Sequence, residues 1–410
     1  MSPGPEVVVA GGGIAASAAA IRLRRLGFGV RLLVRRGAVP AGVEALPQQA
    51  LGLLDVLDEP DLVAEAGGVA VSGRRHVERR ELARVFLERA RGRGAAIEEV
   101  HRLPPAASVP HAVAALVDAT GRAAAWSRPL FTEGHDVAWQ YEGPPQPDPA
   151  LRVVHAGGWW AYRLGLPSTT WAGVVVTDPA VTRDAGGSIQ AVVGQGLKRL
   201  DLDPAAMSPR GRRAARVQRA ARPVAGRRIA VGDAALAHDP IAGAGIRFAL
   251  ASAIAAATAI ATWVDEPGHS DLAAAYYGEL VAGEHSRHME ARRAVHAGAT
   301  EPGPDTHVAL LEPAPVPGVL RFTASLVETP LAVDGLIRSG PAVRLPDGTL
   351  TRWLGSFDLL VLARLASDPV PRLVLLAQLQ QEGLDPGGAR AVVSWATRHG
   401  LLTGDEEQAS

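Results

Sequence analysis

The pattern of hydrophobic and polar residues predicts a strand, a helix and a second strand at the start of the chain. The β-branched run Val7 to Val9 is short and apolar enough for a buried parallel strand. A helix rich in alanine, leucine and isoleucine follows to about Leu26, and a second strand runs from Val30 to Val34. This order is typical of a βαβ unit, and residues 11–13, all glycine, stand at its strand-to-helix junction.

That glycine junction carries the residues of a dinucleotide-binding turn. Gly11 and Gly13 fill the first two positions of the G-x-G-x-x-G fingerprint, and Ala16 fills the third, which only needs close helix–strand packing. Glycine lets the backbone approach a pyrophosphate, and the helix N-terminus presents free N–H groups to it. Val34, followed by Arg35, stands where an acidic residue usually holds the ribose. A dinucleotide site is therefore predicted, with a packed α/β turn as the alternative.

Residues 136–141 and 151–177 change to the alternating pattern of strands and hold several aromatic and β-branched residues. Residues 157–176 predict a hairpin with its turn near Pro167 to Thr170. The aromatic residues fit ordinary sheet packing or an aromatic wall over a ligand equally well. The candidate substrate-binding residues are Trp139, Trp159, Trp160, Tyr162 and Trp171.

Two later stretches repeat the pattern of the first residues, in which a short apolar strand leads into a glycine-containing loop. A short strand, 114–117, ends in the sequence Asp118 to Arg122, and another strand, 229–231, leads into Gly232 and Asp233. A loop with His238, Asp239 and Pro240 and a glycine turn with Gly243 and Gly245 then start a second helix rich in small residues. The two stretches predict further parts of the same nucleotide-binding domain.

Composition and charge narrow the function. The 410 residues carry no net formal charge, so no overall field attracts nucleic acid or an anionic membrane. The absence of cysteine excludes disulfides, zinc–thiolate sites and thiol catalysis. The apolar run 249–261 is too short to span a bilayer, and the N-terminus lacks a basic region ahead of its strand. A cytoplasmic protein without membrane partners is expected.

Two charged segments leave alternatives open. Residues 208–228 hold eight arginines, which fit a solvated face or an acidic partner. A predicted helix, 276–296, carries His285, His288 and His296, but their spacing matches no standard ligand set, and we predict no metal.

The sequence predicts a separate unit in the C-terminal part. Five prolines in 302–317 predict a connector, assigned to 301–340, ahead of a module at 341–410. Within it, an edge strand, Val343 to Leu345, precedes helices at 357–366, 372–382 and 386–398. Six arginines against five acidic residues in 342–402 lack the basic footprint of DNA binding. A winged-helix-like module that binds peptide or protein by β-augmentation at the edge strand is predicted.

The three glycine-bearing stretches, taken in order, resemble those of the FAD-dependent monooxygenase superfamily. The segment Val43 to Pro47 is similar to a Gly-Glu-x-Leu-Pro element of the branch that contains tryptophan halogenases and the flavoproteins that mature tryptophan-derived quinone cofactors. The resemblance covers about residues 5–300. It implies an α/β fold with a Rossmann-type FAD-binding domain at 1–130 and 227–300, interrupted by an antiparallel β-sheet substrate domain at 131–226.

The resemblance also implies the cofactors and the site. FAD would be held with NAD(P)H or a separate flavin reductase as electron source and O₂ as co-substrate. Asp233 would bind the ribityl chain, Arg79 would lie near the flavin, and His238 and Asp239 are candidates for proton transfer. The complete set of cofactor-binding candidates is Gly11, Gly13, Ala16, Arg35, Glu44, Arg79, Asp118, Gly121, Gly232, Asp233, Pro240, Gly243, Gly245 and Ile246.

The expected activity is hydroxylation of an aromatic side chain, most simply tryptophan, in a peptide or small protein. The alternatives are hydroxylation of a free aromatic metabolite, halogenation and a non-catalytic flavin-fold binding protein. Halogenases of this branch use a lysine in the region that corresponds to residues 69–82, where this chain has only arginines; its one lysine is Lys198. Arginine stays protonated and is a poor carrier of hypohalite, which disfavours halogenation.

Overall fold

The computed structural model describes residues 4–35, 40–184, 186, 188–239, 244–296, 318–355 and 357–404. The chain forms two compact units, Met1–Glu301 and Pro302–Ser410.

The strands and helices of the first unit are numbered in chain order. Its strands are β1 (Glu6–Ala10), β2 (Gly29–Arg35), β3 (Val43–Leu46), β4 (Val69–Val71), β5 (Arg74–Glu78), β6 (Ala96–Val100), β7 (Ala115–Asp118), β8 (Leu130–Glu133), β9 (Val137–Gly143), β10 (Arg152–Ala156), β11 (Trp159–Leu166), β12 (Thr169–Val176), β13 (Ser208–Ala214), β14 (Val217–Ala220), β15 (Val224–Ala225), β16 (Arg228–Ala230) and β17 (Leu236–Ala237). Its helices are α1 (Ile14–Arg25), α2 (Gln48–Val56), α3 (Leu62–Glu65), α4 (Arg79–Gly92), α5 (Ala180–Asp184), α6 (Ile189–Arg199), α7 (Gly245–Asp265) and α8 (Ser270–His296).

The core of the first unit is a sheet with the strand order β15-β16-β7-β1-β2-β6. Neighbouring strands from β16 to β6 are parallel, and β15 adds an antiparallel edge. Residues 7–10 of β1 are fully buried because a parallel sheet is covered on both faces. Helices α1 and α7 pack against each other, and α1 also contacts α4. The predicted βαβ opening and the Rossmann-type sheet are confirmed.

The second layer is an antiparallel sheet with the order β10-β11-β12-β9-β13. The hairpin of β11 and β12 turns at residues 167–168, as predicted. Helix α6 covers one face through Val192, Val193 and Leu197, which pack against Trp159 and Ala161. Two smaller antiparallel sheets, β3-β5-β4 and β17-β14-β8, complete the first unit. This mixed α/β architecture matches the predicted fold class of the body.

Helix α7 is long and apolar enough to cross a membrane by length and composition, with a mean hydropathy of 1.5 over its best window. The expectation that this run is too short was wrong in length, because the apolar stretch ends at residue 261 but the helix continues to Asp265. Within the first unit, 67% of that window is buried. The alanine-rich surface of α7 lets α1 and α8 approach closely, so α7 is a core helix of the first unit.

Strand β5 corrects one helix prediction. The spacing of apolar residues in 76–90 predicts a helix over that whole stretch, but residues 76–78 belong to β5, and α4 begins at Arg79. β3 and β5 pair antiparallel, with Ala45 opposite His76. The His76 ring is fully buried, and its Nδ1 lies 2.9 Å from the Gly165 carbonyl oxygen. Burial lowers the pKa of His76, which favours the neutral ring.

The second unit has its own core of leucine and valine side chains. Its elements are β18 (Val319–Phe322), β19 (Leu326–Val333), β20 (Leu336–Arg344), β21 (Leu350–Thr351), β22 (Trp353–Leu354), β23 (Phe357–Asp358), α9 (Leu359–Leu365), β24 (Val370–Pro371), α10 (Arg372–Gln381), α11 (Pro386–Arg398) and β25 (Leu402–Gly404). The three predicted helices are present. The assignment to the winged-helix class stays a prediction.

Two expectations for this unit are wrong. The connector assigned to 301–340 ends earlier, because β18, β19 and most of β20 lie within it, and β18 is the central strand of the sheet β24-β18-β25. The proposed edge strand at 343–345 is also not an edge. Val343 of β20 pairs with Leu326 on one side and with Thr351 on the other, so its backbone is already occupied.

We predict a stability effect from a buried carboxylate beside α4. The Glu59 side chain is fully buried and accepts from Arg93 at 2.8 Å and from Arg89. Glu59→Ala removes the acceptor that the two guanidinium groups share, although both reach solvent and Arg89 keeps its bond to Glu65. The free energy of unfolding in urea should fall by about 1–3 kcal/mol. The matched control is Glu81→Ala on the surface of α4, whose exposed pair with Arg84 is worth at most about 1 kcal/mol. Equal losses in the two variants would contradict the prediction.

Candidate functional site

Three strands of the parallel sheet end at the same level. The register places Ala10 of β1 beside Asp118 of β7, and Asp118 beside Ala230 of β16. The carboxyl ends of these strands therefore meet at one edge. The three motif-bearing stretches, which begin at Gly11, Ala119 and Val231, come together there although more than a hundred residues separate each from the next. Ligands of open α/β sheets bind at such an edge.

Gly11 and Gly12 are required by the protein itself. Gly11 has a φ of +135°, and a Cβ atom there would lie 2.2 Å from the backbone oxygen of Ala119. A Cβ at Gly12 would lie 2.5 Å from Cγ1 of Val34. The Val34 side chain thus packs over the turn at the point where a ribose-binding carboxylate was expected. Both glycines let neighbouring strands and loops approach closely.

Gly13 is different, because it faces open space. A Cβ there would meet no atom within 4 Å, and its backbone, with φ −92° and ψ −176°, suits any residue. Helix α1 begins at the next residue, and Ala16 is buried. The opening above Gly13 and the free N–H groups of the first helical turn fit the pyrophosphate of a dinucleotide.

The starts of α1 and α7 converge on Gly232. A Cβ at Gly232 would lie 2.8 Å from Cβ of Ala15 and 3.7 Å from Cβ of Ala249, and its backbone N–H donates to Ser252 Oγ at 2.9 Å. Asp233 follows, and its side chain is 42% exposed between buried neighbours. A single accessible carboxylate at this position fits the predicted contact with a hydroxyl-bearing ribityl chain.

Charged groups gather around Asp233. Arg79, the first residue of α4, donates to the Glu44 carboxylate on β3. Glu44 raises the pKa of the Arg79 guanidinium against the effect of burial, and Tyr162 and Asp233 act in the same direction. Nε of Arg122 lies 3.9 Å from Asp233 Oδ2. This places β3, α4, β11 and the two motif loops around one polar cluster; a role of Glu44 and Arg79 in cofactor binding stays a prediction.

The antiparallel sheet presents two different faces, and only one belongs to this cluster. Trp160, Tyr162 and Trp171 share the face that packs against β3 and against Val175 and Ala215. Tyr162 crosses directly over Gly173, where a Cβ would lie 2.3 Å from its ring. Burial raises the pKa of the Tyr162 hydroxyl. Trp160 and Trp171 are themselves almost fully buried.

Trp139 and Trp159 are on the opposite face. Both pack in the cluster covered by α6. The prediction of one aromatic wall was wrong for these two residues, because side chains of a strand alternate between faces and the period was not applied across β9 and β11.

His238 and Asp239 precede α7 and contact side chains of α8 in a buried network. Nε2 of His238 is 3.3 Å from Glu284 Oε1, and its ring meets the His288 ring edge-on at 4.6 Å. Asp239 lies 3.3 Å from Nε2 of His288 and 3.1 Å from Nε of Arg292. Both predicted side chains are at most 2% exposed, so they lie in the interior of the first unit. Direct proton transfer by them stays a prediction.

The remaining candidates fall into three groups. The Asp118 carboxylate is buried and accepts from Thr120 N at 3.1 Å and from Trp126 N at 2.8 Å, so it shapes the loop that carries Gly121. Arg35 is exposed at the end of β2. Gly245 and Ile246 form the start of α7, and Gly245 faces open space. Pro240 and Gly243 lie outside the described residues. Within the described ranges, no group of histidine and carboxylate residues could hold a metal ion.

Sequence reasoning missed three kinds of partner. Arg122 ends the motif that begins at Asp118, but the sequence analysis predicts no contact for it. Its guanidinium donates to the backbone oxygens of Arg216 and His238. Arg213 shares the site face of the sheet with Tyr162, and burial followed by the nearby Arg79 lowers its pKa. Glu284 and Arg292 hold the network on α8. Only strand alternation could have identified Arg213, since the others depend on tertiary contacts.

Comparison with solved structures supports this architecture. The peptidyl tryptophan dihydroxylase QhpG, essential for tryptophylquinone cofactor biogenesis, matches with a TM-score of 0.66 and 21% identity over 97% of this chain and 100% of its own. The flavin-dependent halogenase CmlS matches with a TM-score of 0.71 and 15% identity over 100% and 98%. The P. aeruginosa protein PqsL, solved with 2-aminobenzoylacetate, matches with 0.56 and 16% over 72% and 96%.

The chain has the fold of the FAD-dependent monooxygenase-type flavoproteins. The likeness to QhpG and CmlS also extends into the C-terminal unit, beyond the residues 5–300 to which the motif resemblance was assigned. Comparisons with protein-family models and with curated proteins found no match.

We expect Gly13→Val to abolish FAD retention without unfolding the protein. The new side chain would fill the opening above the turn, but it would meet no protein atom. The measurement is the flavin absorbance of the purified protein relative to its concentration, with circular dichroism as the check on folding. The matched control is Gly157→Val, an exposed glycine whose Cβ also meets open space and whose φ is not positive. A Gly13→Val protein that keeps stoichiometric FAD would exclude a dinucleotide at this turn.

A pH dependence should follow from His238. Burial lowers its pKa below the ordinary 6.5, although Glu284 opposes the shift. The unfolded chain therefore takes up a proton before the folded protein does, and the free energy of unfolding decreases as pH falls through about 6.5, by at most about 1.4 kcal/mol per pH unit for this group. Urea unfolding between about pH 7 and about pH 5.5 should show a smaller decrease in His238→Gln. The surface variant His111→Gln should keep the wild-type decrease; an unchanged decrease in His238→Gln would contradict the assignment.

Proposed function

We propose that the protein is an FAD-dependent monooxygenase that hydroxylates an aromatic side chain, most simply tryptophan, in a peptide or small protein. The observation that carries the proposal is the meeting of three strand ends at one sheet edge, with Gly13 open to a ligand and Asp233 accessible beside it. Known proteins with this fold include a peptidyl tryptophan dihydroxylase, which agrees with the proposal.

Each residue group has a distinct task in this proposal. The turn at Gly13 and the start of α1 bind the pyrophosphate, and Asp233 accepts hydrogen bonds from the ribityl chain. The N–H groups at the start of α7, from Gly245, would face developing negative charge on the flavin. Bound FAD would supply the activation of O₂ and the transfer of one oxygen atom to an electron-rich ring.

The substrate would lie on the face of the antiparallel sheet that carries Tyr162. Arg79 and Glu44 neutralise each other there, and the buried Trp160 and Trp171 pack on the same face beside Tyr162. Such a face excludes water and orients an aromatic ring, which this chemistry needs more than a protein nucleophile. His238 and Asp239 would fix the loop that leads to α7.

Halogenation is the second candidate, because the halogenase CmlS matches the whole chain with the higher TM-score. The chemistry argues against it. Lys198, the one lysine of the sequence, is exposed on α6, which covers the sheet face opposite to Tyr162. Arg79 occupies the polar cluster instead, and its pKa is raised further by Glu44. A guanidinium that keeps its proton is a poor carrier of hypohalite.

The electron source and the location are also proposals. The chain shows one glycine-rich dinucleotide turn, at residues 11–16, and we assign it to FAD. NAD(P)H would then bind transiently, or a separate flavin reductase would deliver the electrons. The cysteine-free composition fits the cytoplasm, where soluble reductases and precursor peptides are available.

We expect the reduced, FAD-loaded protein to consume O₂ and to convert tryptophan-containing peptides into products heavier by one or two oxygen atoms. Mass spectrometry of a peptide set after incubation with FAD and a reductant measures this. Tyr162→Ala should lower kcat/KM by about tenfold or more, because removing a positioning side chain misaligns the ring. The matched control is Tyr141→Ala, since Tyr141 lies in the cluster under α6.

Three outcomes would overturn the proposal. Chlorinated or brominated products in the presence of halide would make the protein a halogenase despite the remote position of Lys198. Modification of free small aromatic compounds, with no peptide converted, would make it a metabolite hydroxylase. A protein that binds FAD but neither consumes O₂ nor changes any peptide would be a binding protein.

A further inference from the structure

Strand β13 forms one edge of the antiparallel sheet. It pairs with β9 on its inner side, and in the described part of the chain no strand pairs with its outer side. Six of its seven residues are exposed, and Arg213 is half-buried. The register shifts between Pro209 and Gly211, which leaves Arg210 as a bulge. The strand therefore offers unpaired backbone groups at its outer edge.

This edge has a concentrated positive charge in a chain whose net charge is zero. Residues 208–228 contain eight arginines and no acidic residue. Arg210 is paired with Glu142 at 2.7 Å. Among the described residues, Arg212 and Arg216 have no carboxylate within ion-pair distance, whereas the half-buried Arg213 interacts electrostatically with Glu44. The charges of Arg212 and Arg216 are consequently available to an external anion.

The register connects this edge to the candidate site. Arg213 lies opposite Ala138, on the face shared by Trp160 and Tyr162, whereas Arg212 lies opposite Trp139, on the face covered by α6. A strand added outside β13 would continue both faces. Every second side chain of such a strand would point to the Tyr162 side, next to Arg213.

Edge strands usually carry charges to prevent pairing with other chains, and the arginines and Pro209 fit that explanation as well. These arginines, however, repel only basic strands, and a neutral strand would remove their water without giving them a partner. An acidic strand gains the main-chain hydrogen bonds of β-augmentation and also neutralises Arg212 and Arg216. The same features therefore select one class of partner while rejecting the others.

We propose that β13 is the docking strand for an extended acidic segment of the peptide substrate. The inference rests on the proposed function and gives the substrate its chemistry: an aromatic residue in an extended segment with acidic side chains at alternate positions. The aromatic side chain points to the Tyr162 face beside Arg213, and the acidic side chains at alternate positions point to the opposite face, where Arg212 and Arg216 bind them.

The test uses the full-length, FAD-loaded protein and labelled nine-residue peptides with a central tryptophan. One peptide carries glutamate at every second position, and its partners carry glutamine or lysine there. Fluorescence anisotropy should show the glutamate peptide bound about tenfold or more tightly than the glutamine peptide, with a preference that weakens as salt is added. The lysine peptide should not bind measurably.

A charge-reversal pair locates the contact. The double variant Arg212→Glu, Arg216→Glu should weaken binding of the glutamate peptide by about tenfold or more. The double variant Arg91→Glu, Arg102→Glu changes the net charge equally at exposed positions away from β13 and should stay within about twofold. FAD content and circular dichroism show that each variant is folded. Equal weakening in both would mean general attraction by net charge and would overturn the docking strand.

Backbone methylation distinguishes strand addition from charge alone, and it needs no variant. In one version of the glutamate peptide the N–H groups of alternate residues are N-methylated, and in another the intervening ones are. Only one of the two sets would face β13, so one version should lose binding by about tenfold or more while the other keeps it. If both versions bind like the parent peptide, the strand pairing is wrong.

The outcomes separate this inference from the proposed function. If the peptides bind as expected but gain no oxygen in the presence of FAD, reductant and O₂, the docking strand stands and the hydroxylase proposal fails. If the glutamate and lysine peptides are oxygenated at equal rates by the wild-type protein and by the β13 variant, the hydroxylase stands and the docking strand fails.

Discussion

The alignment of three parallel strands at their carboxyl ends is the constraint on which the first unit depends. Hydrogen-bonded register brings Ala10, Asp118 and Ala230 side by side, and the loops that follow are forced into contact. Gly11 has no side chain to collide with the Ala119 carbonyl, and Gly232 has none to collide with the two helices beside it. Larger side chains at either position would separate the layers. The candidate cofactor site is the space that remains after this packing is satisfied.

The antiparallel sheet then divides the chemistry between its two faces. Helix α6 closes one face with aliphatic contacts, and the other face carries Tyr162 and Arg213 toward the Arg79–Glu44 pair. A separate network lies in the interior beside helix α8. There two carboxylates, Glu284 and Asp239, contact histidine and arginine side chains. Buried charges of this kind are tolerated because each lies beside a group of opposite charge or a hydrogen-bond donor.

Local patterns predicted what local physics controls. The first βαβ unit, the turn at residues 167–168 and the last three helices follow from periodicity and turn residues. Long-range pairing decided the rest. His76 lies in a strand because β3 pairs with it, and Val343 is not at a sheet edge because a strand pairs with it on each side. The separation of Trp139 from Trp160 needed the strand period applied over three strands at once. No local pattern could join Glu284 to His238.

The three consecutive glycines of the first turn meet different physical requirements. A side chain at Gly11 or Gly12 would collide with atoms of the protein, so folding alone requires glycine there. Gly13 has an ordinary backbone conformation and open surroundings, so folding alone does not require glycine at that position. In a lineage that abandoned a ligand at this turn, position 13 would be free to diverge before positions 11 and 12.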